Sequence, residues 1–147
     1  MWLLIREASM ARNLEALLPL ALEYGPDRIA FCTDDKDPDD IADNGHINGM
    51  VRDSVRIGAT PEDAILMASF HPALWHGLQH LGAVAPGYQA DLLLLPALVG
   101  FVPDLVLKRG QPIENVPSVP VPEWVRQTVR IKPVTAADFA VPSAGSP

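Results

Sequence analysis

Residues 29–32, Ile-Ala-Phe-Cys, form a short apolar run that stops at Thr33 and gives way at once to Asp34, Asp35, Lys36, Asp37, Pro38, Asp39 and Asp40. A run apolar at every position suits a strand buried on both faces, the usual state inside a parallel sheet. Carboxylates that begin where such a strand stops stand at its C-terminal end, which in α/β barrels is the end where chemistry is done. The alternative is a solvated acidic loop that caps the next helix. A second apolar run, Trp2-Leu3-Leu4-Ile5, lies upstream. Between the two, Leu14, Leu17, Leu18, Ala21 and Leu22 repeat with helical period, and Gly25-Pro26-Asp27 closes that helix. Strand, helix and strand within about 30 residues predict a βαβ unit with a parallel sheet. Pro19 falls inside the helical pattern, so a kink or a split near Glu15 is expected.

Beyond the acidic run, Ile47, Met50, Val51, Ser54 and Val55 share a helical face, opposite Arg52, Asp53 and Arg56, and Gly58 ends the helix. Thr60 as N-cap, Pro61 in the first turn and the acids Glu62 and Asp63 start another helix. His71-Pro72 interrupts it, leaving a further helical turn or two over residues 73–78. The character changes at Gly82. Residues 82–88 are a turn-rich link, residues 90–95 a strand, and residues 102–108 and 111–113 a hairpin around Arg109-Gly110. Ten of the fifteen prolines lie beyond Ala85. Residues 116–121 alternate with proline and cannot form a central strand. Residues 128–131 are a possible last strand, and the tail from Val141 is expected to be mobile.

The 147 residues, 48% hydrophobic and 20% charged, suit a globular chain with a real core. A net charge of −7 gives no attraction to nucleic acid or to an anionic membrane surface. No run approaches the roughly 20 apolar residues of a membrane span. No export signal is evident, and the lone Cys32 fits a reducing cytoplasm as a small buried hydrophobe.

Asp34 is the leading candidate for chemistry. A partly buried carboxylate needs a cation, hydrogen bonds or a proton, and a divalent metal is a common way to keep it charged. Asp35, Asp37 and Asp39 have the alternate spacing of an EF-hand loop, but Asp40 stands where that loop needs glycine and His46 where it needs glutamate, so calcium of that kind is excluded. If the strands are parallel, Arg6, Glu7 and Ser9 lie beside Asp34, with a salt bridge to the following helix as the alternative for the charged pair. His46, at the mouth of a helix close to the acidic run, is a further candidate for substrate contact or for satisfying local backbone. His71, His76 and His80 lack the spacing of a metal site and read as surface or packing residues.

Two stretches resemble the amidohydrolase superfamily. One is the strand ending in Thr33-Asp34. The other is Ala64, Ala68, Pro72-Ala73 and Gly77-Leu78 leading to Gly82-Ala83-Val84-Ala85-Pro86-Gly87-Tyr88 and Ala90-Asp91-Leu92. His71 stands where asparagine is common in that superfamily, and Val84 where isoleucine is usual. Within it, Ile5-Arg6-Glu7-Ala8-Ser9, Asn13-Leu14, the stretch Cys32-Thr33-Asp34-Asp35-Lys36, Pro38-Asp39-Asp40, Gly45-His46-Ile47, Val125-Arg126, Thr128-Val129-Arg130 and Asp138-Phe139 are similar to the adenine deaminase family.

The resemblance implies an α/β fold: the last βα units of a metal-dependent hydrolase TIM barrel (residues 1–81), return strands of a small β-sandwich (residues 82–116) and a Pro-rich segment (residues 117–147). It implies hydrolysis of adenine to hypoxanthine and ammonia at a binuclear manganese or iron centre, zinc being possible. It gives Asp34 the catalytic and metal-binding role of the last-strand aspartate; its neighbour Asp35 joins Arg6, Glu7, Ser9 and His46 as a candidate for contact with substrate or for supporting Asp34. The family's His-x-His and its other metal ligands are not in the sequence. The expectation is therefore a fragment, inactive alone, whose open sheet edges and apolar helix faces need an N-terminal barrel segment or further copies of itself to cover them. A different cyclic amidine or amide as substrate, and a non-catalytic interaction module, are the other readings.

Overall fold

A computed structural model describes residues 1–98, 100–126 and 128–141. Residues 1–116 form one compact unit and the segment from Pro117 a second.

The first unit opens with β1 (Leu3–Arg6), α1 (Leu14–Glu23) and β2 (Ile29–Cys32). The strands pair in parallel, Leu3 opposite Ile29 through to Arg6 opposite Cys32. The two C-terminal ends are therefore level, and the Glu7 N–H bonds the Cys32 carbonyl one step further on at 3.0 Å. Asn13 at the mouth of α1 accepts the Arg6 N–H through its side chain at 2.8 Å, which ties the strand end to the helix start. Pro19 does not split α1, which is continuous through it. A helix this short, with Leu14, Leu18 and Ala21 buried against the sheet, tolerates one missing backbone donor.

Four more helices follow: α2 (Pro38–Asn44), α3 (Ile47–Ile57), α4 (Pro61–Ala68) and α5 (Phe70–Trp75). The second half of the acidic run is thus helical. Asp37 in extended conformation and Pro38 at the first helical position start α2. In α4 the Thr60 hydroxyl accepts the Asp63 N–H at 3.1 Å, the expected N-cap. The break before His71-Pro72 falls at Ser69, and Pro72 sits in the first turn of α5. His71 is a packing residue: its Nδ1 bonds the Ile29 carbonyl at 2.8 Å, and its ring meets Trp2 edge-on.

Ile5, Leu14, Leu18, Ile29, Phe31, Met50, Val51, Ala64 and Met67 make the core, with apolar area from the sheet and from one face of each of α1, α3 and α4. Phe101 joins this core from the return segment, 6% exposed, and the Arg52 guanidinium bonds the neighbouring Gly100 carbonyl at 3.3 Å.

Past Gly82 a separate antiparallel sheet forms in the order β3 (Leu92–Leu94), β4 (Leu105–Lys108), β5 (Gln111–Pro112). Leu93 and Leu94 are exposed on it. Asp91 clips its corner, accepting from Lys108 Nζ at 2.6 Å, the Arg109 N–H at 2.9 Å and the Gln89 amide at 2.7 Å.

The second unit holds one helical turn, α6 (Glu123–Arg126), and a 3-10 turn (Ala136–Phe139) closed by a reciprocal Thr135–Asp138 cap. No strand forms over residues 128–131, contrary to the sequence reading. Val129 and Ile131 are exposed there, and an extended run without a pairing partner is not a strand. Of the tail from Val141, residues 142–147 lie outside the described residues. No described helix is long and apolar enough to cross a membrane.

Candidate active site

The level ends of β1 and β2 bring the two loops that leave them side by side. Thr33 continues β2 and is buried; its Oγ1 shares a 3.0 Å hydrogen bond with His46 Nε2 at the start of α3. His46, though exposed, thus reaches the strand end through Nε2, and its backbone N–H is held by the Asn48 side chain at 2.9 Å.

Asp34 follows with φ +56, the left-handed region, which costs an aspartate on the order of 1 kcal/mol unless its surroundings hold it there. The bend turns the chain sharply off the end of the strand. The Asp34 carboxylate meets Arg6, Nη1 to Oδ2 at 2.5 Å, with both side chains about two-fifths exposed. That hydrogen bond, and then the Asp34 charge, raise the Arg6 guanidinium above its already high pKa. Cys32, half-buried behind this pair, has its thiol pushed up by burial and then by the Asp34 charge, against the opposing effect of Arg6. It is held as a protonated thiol, a packing group rather than a nucleophile.

The other candidates lie near this pair but serve different partners. Glu7 turns to α1: Oε2 accepts the Leu14 N–H at 3.1 Å, and Oε1 lies 3.9 Å from Arg12 Nε. That is a helix-start role. The Asp35 side chain is exposed, while its carbonyl accepts the Ser9 N–H at 3.0 Å. Ser9 reaches across the loops with its hydroxyl, which accepts the Asp37 N–H and donates to Asp40 Oδ2, both at 2.8 Å.

Asp40, Lys36, Arg12 and Asn44 were not read as candidate site residues in the sequence, and with Ser9 they form one cluster centred on the Asp40 carboxylate. Asn44 donates to Asp40 Oδ1 at 2.8 Å; Lys36 Nζ and Arg12 Nη2 lie 3.5 and 3.6 Å from Oδ2. The side chains of Lys36 and Asp40 are only 7% and 12% exposed. Hydrogen bonds from Asn44 and Ser9, helped by the two cations, hold the Asp40 carboxyl below the usual carboxylate range. The signal that could have found Asp40 is its spacing four residues before Asn44 on one face of α2.

Among the described residues, no three His, Cys, Asp or Glu side chains stand close enough together to hold a metal ion. Asp34 meets a cation, but it is a guanidinium of the same chain. The residues described do not by themselves fit a metal centre. What they provide is one half-exposed carboxylate, held by an arginine at the C-terminal end of a parallel strand pair, a group of the kind that serves in proton transfer.

Comparison with known proteins places the chain in a family. The Amidohydrolase family profile matches residues 5–113. The chain is 40% identical over 153 residues to an adenine deaminase of Cenarchaeum symbiosum (strain A), covering 97% of this chain and 25% of that protein. It is 40% identical over 145 residues to one of Cereibacter sphaeroides, covering 97% and 26%. A third, from Desulfatibacillum aliphaticivorans, is 48% identical over 101 residues, covering 69% and 18%. The chain spans about a quarter of the length of the first two relatives. With most of its length, both strand ends and Asp34 inside the matched region, the chain belongs to the amidohydrolase family.

Proposed function

We propose that this chain is the portion of an adenine deaminase that carries the last-strand aspartate, acting in the cytoplasm on adenine and water to give hypoxanthine and ammonia. Residues 1–81 are read as the closing βα units of a TIM barrel and residues 82–116 as part of a β-sandwich beside it. The single observation that carries the reading is the placement of Asp34 just past the level ends of two parallel strands, bonded to Arg6. Identities of 34% to 48% to proteins named adenine deaminase support the choice of substrate.

In this reading Asp34 accepts a proton from the attacking water and returns it to the departing amine, while Arg6 keeps it aimed. Asp34 is also the residue to which the resemblance gives a metal-binding role among the described residues. The binuclear manganese, iron or zinc centre that the resemblance implies takes its other ligands from outside the described residues. A segment like the other three quarters of the relatives supplies them, or association of copies covers the open sheet. The chain alone is therefore inactive.

The test is a chimera in which this chain replaces the matching quarter of the Cereibacter sphaeroides relative. The chimera is expected to release ammonia and hypoxanthine from adenine, the 147-residue chain to release neither, and Asp34→Asn to abolish the chimera's turnover. Turnover undiminished by Asp34→Asn removes Asp34 from the chemistry. A chimera that hydrolyses another cyclic amidine but not adenine keeps the family and changes the substrate.

A further inference from the structure

We propose that Ser9 and Asp40 are positioning residues that clamp the turn after β2 and so hold the Asp34 carboxylate in place, a role that rests on the deaminase reading. Asp34 sits in the left-handed region at the first residue of an exposed turn, a conformation that persists only where the surroundings over-determine it. The Arg6 ion pair acts on its side chain. The backbone is held from the other loop, and by a single residue. The Ser9 N–H bonds the carbonyl of Asp35, the residue next to Asp34, and the Ser9 hydroxyl accepts the N–H of Asp37 two residues further on. Both ends of the 35–37 segment are thus tied to one side chain and its own peptide.

The clamp works only if the Ser9 hydroxyl directs its proton away from Asp37. Asp40 ensures that. Oδ2 accepts the hydrogen bond that the Ser9 hydroxyl donates, leaving an oxygen lone pair for the Asp37 N–H. Asp40 is fixed in turn by Asn44 on the next turn of α2, with the nearly buried Lys36 ammonium and the Arg12 guanidinium beside the same oxygen. Because Lys36 lies between the two tied residues, its burial also draws the turn inward. Hydrogen bonding by a charged carboxylate makes this chain of contacts stronger than neutral ones. None of these groups touches the Asp34 carboxylate in the interactions seen. Their effect on chemistry runs through the backbone.

Two measurements test the clamp. In the 147-residue chain, Ser9→Ala is expected to speed amide exchange at Asp37 by roughly tenfold, with β2 amides unchanged and Ser9→Thr restoring the slower rate. Exchange at Asp37 that is unaltered by Ser9→Ala and by Asp40→Asn overturns the proposal. In the chimera, Ser9→Ala and Asp40→Asn are expected to lower kcat by roughly tenfold or more with little change in KM for adenine, and Ser9→Thr to recover most of it. A kcat within about twofold of the parent for both variants overturns the catalytic consequence. If the unsubstituted chimera is itself inactive, the deaminase reading falls, and the Asp37 exchange rate alone upholds or overturns the clamp.

Discussion

Replacing His71 with alanine is expected to destabilise the chain by about 3 kcal/mol. The imidazole is buried, and its Nδ1–H donates to the Ile29 carbonyl at 2.8 Å, tying α5 to the first residue of β2. Removing the donor leaves a buried carbonyl without this partner, a loss of about 1–3 kcal/mol. Removing the ring also opens a gap against Trp2, whose ring centroid is 6.0 Å away, and Phe70, at 6.1 Å. That gap adds on the order of 1 kcal/mol. Asparagine separates the two terms. Its Nδ2 hangs from Cγ as Nδ1 does in histidine, so His71→Asn keeps the donor in place and loses only the outer ring atoms, for about 1 kcal/mol. Urea unfolding followed by tryptophan emission reads both variants, since Trp2 lies against the ring. An alanine variant within about 0.5 kcal/mol of the parent, or an asparagine variant as unstable as the alanine one, refutes the reasoning.

Three further outcomes are expected. Lys108, the Arg109 N–H and Gln89 depress the Asp91 carboxyl from 3.8 to about 2, so its contribution to stability is fully present above pH 3.8 and is lost as pH falls from there toward 2. Asp91→Asn is therefore expected to flatten thermal stability against pH across that window, and an unchanged acid limb counts against the clip. Gly82 has φ +88, and an added Cβ would meet Phe70 Cα and the Ser69 carbonyl oxygen, each at 2.9 Å, so Gly82→Ala is expected to cost about 2 kcal/mol, read as a fall in Tm. The 147-residue chain dialysed with manganese, iron or zinc is expected to retain no stoichiometric metal by elemental analysis; one tightly held equivalent would mean that Asp34 finds further ligands within this chain.

The parts of this fold that depend on local patterns were legible in the sequence. Apolar runs marked β1 and β2, period marked α1 and α3, and the Thr60-Pro61 start marked α4, because caps and periodicity are set by neighbours in the chain. The meeting of Arg6 with Asp34 was legible too, since both follow strands expected to be parallel. The helix α2 was hidden because its aspartates are poor helix formers and only Ile41 offers an apolar period, although Asp37-Pro38 carried the start signal. The strand expected over residues 128–131 failed for the opposite reason, since its alternation was right and its partner missing. Phe101 in the core, the Ser9–Asp40 bond and the buried Lys36 stem depend on contacts between residues far apart in the chain, or on enclosure, and no local pattern encodes them.

The Arg6–Asp34 pair shows why stability and function separate at this site. Both side chains are well exposed, so water and salt screen the pair and it adds little to folding. Arg6→Gln is therefore expected to leave the melting temperature of the chain essentially unchanged. In the chimera, other strands would cover the same strand ends and lower the local dielectric, so the same charge would act on Asp34 far more strongly. There Arg6→Gln is expected to reduce turnover of adenine by roughly tenfold or more, and Arg6→Lys to recover part of it, because an ammonium keeps the charge but not the fork that fixes the carboxylate. A variant that melts early yet turns over normally would show that Arg6 is a structural brace, and the assignment of the strand ends as the reacting surface would lose its main support.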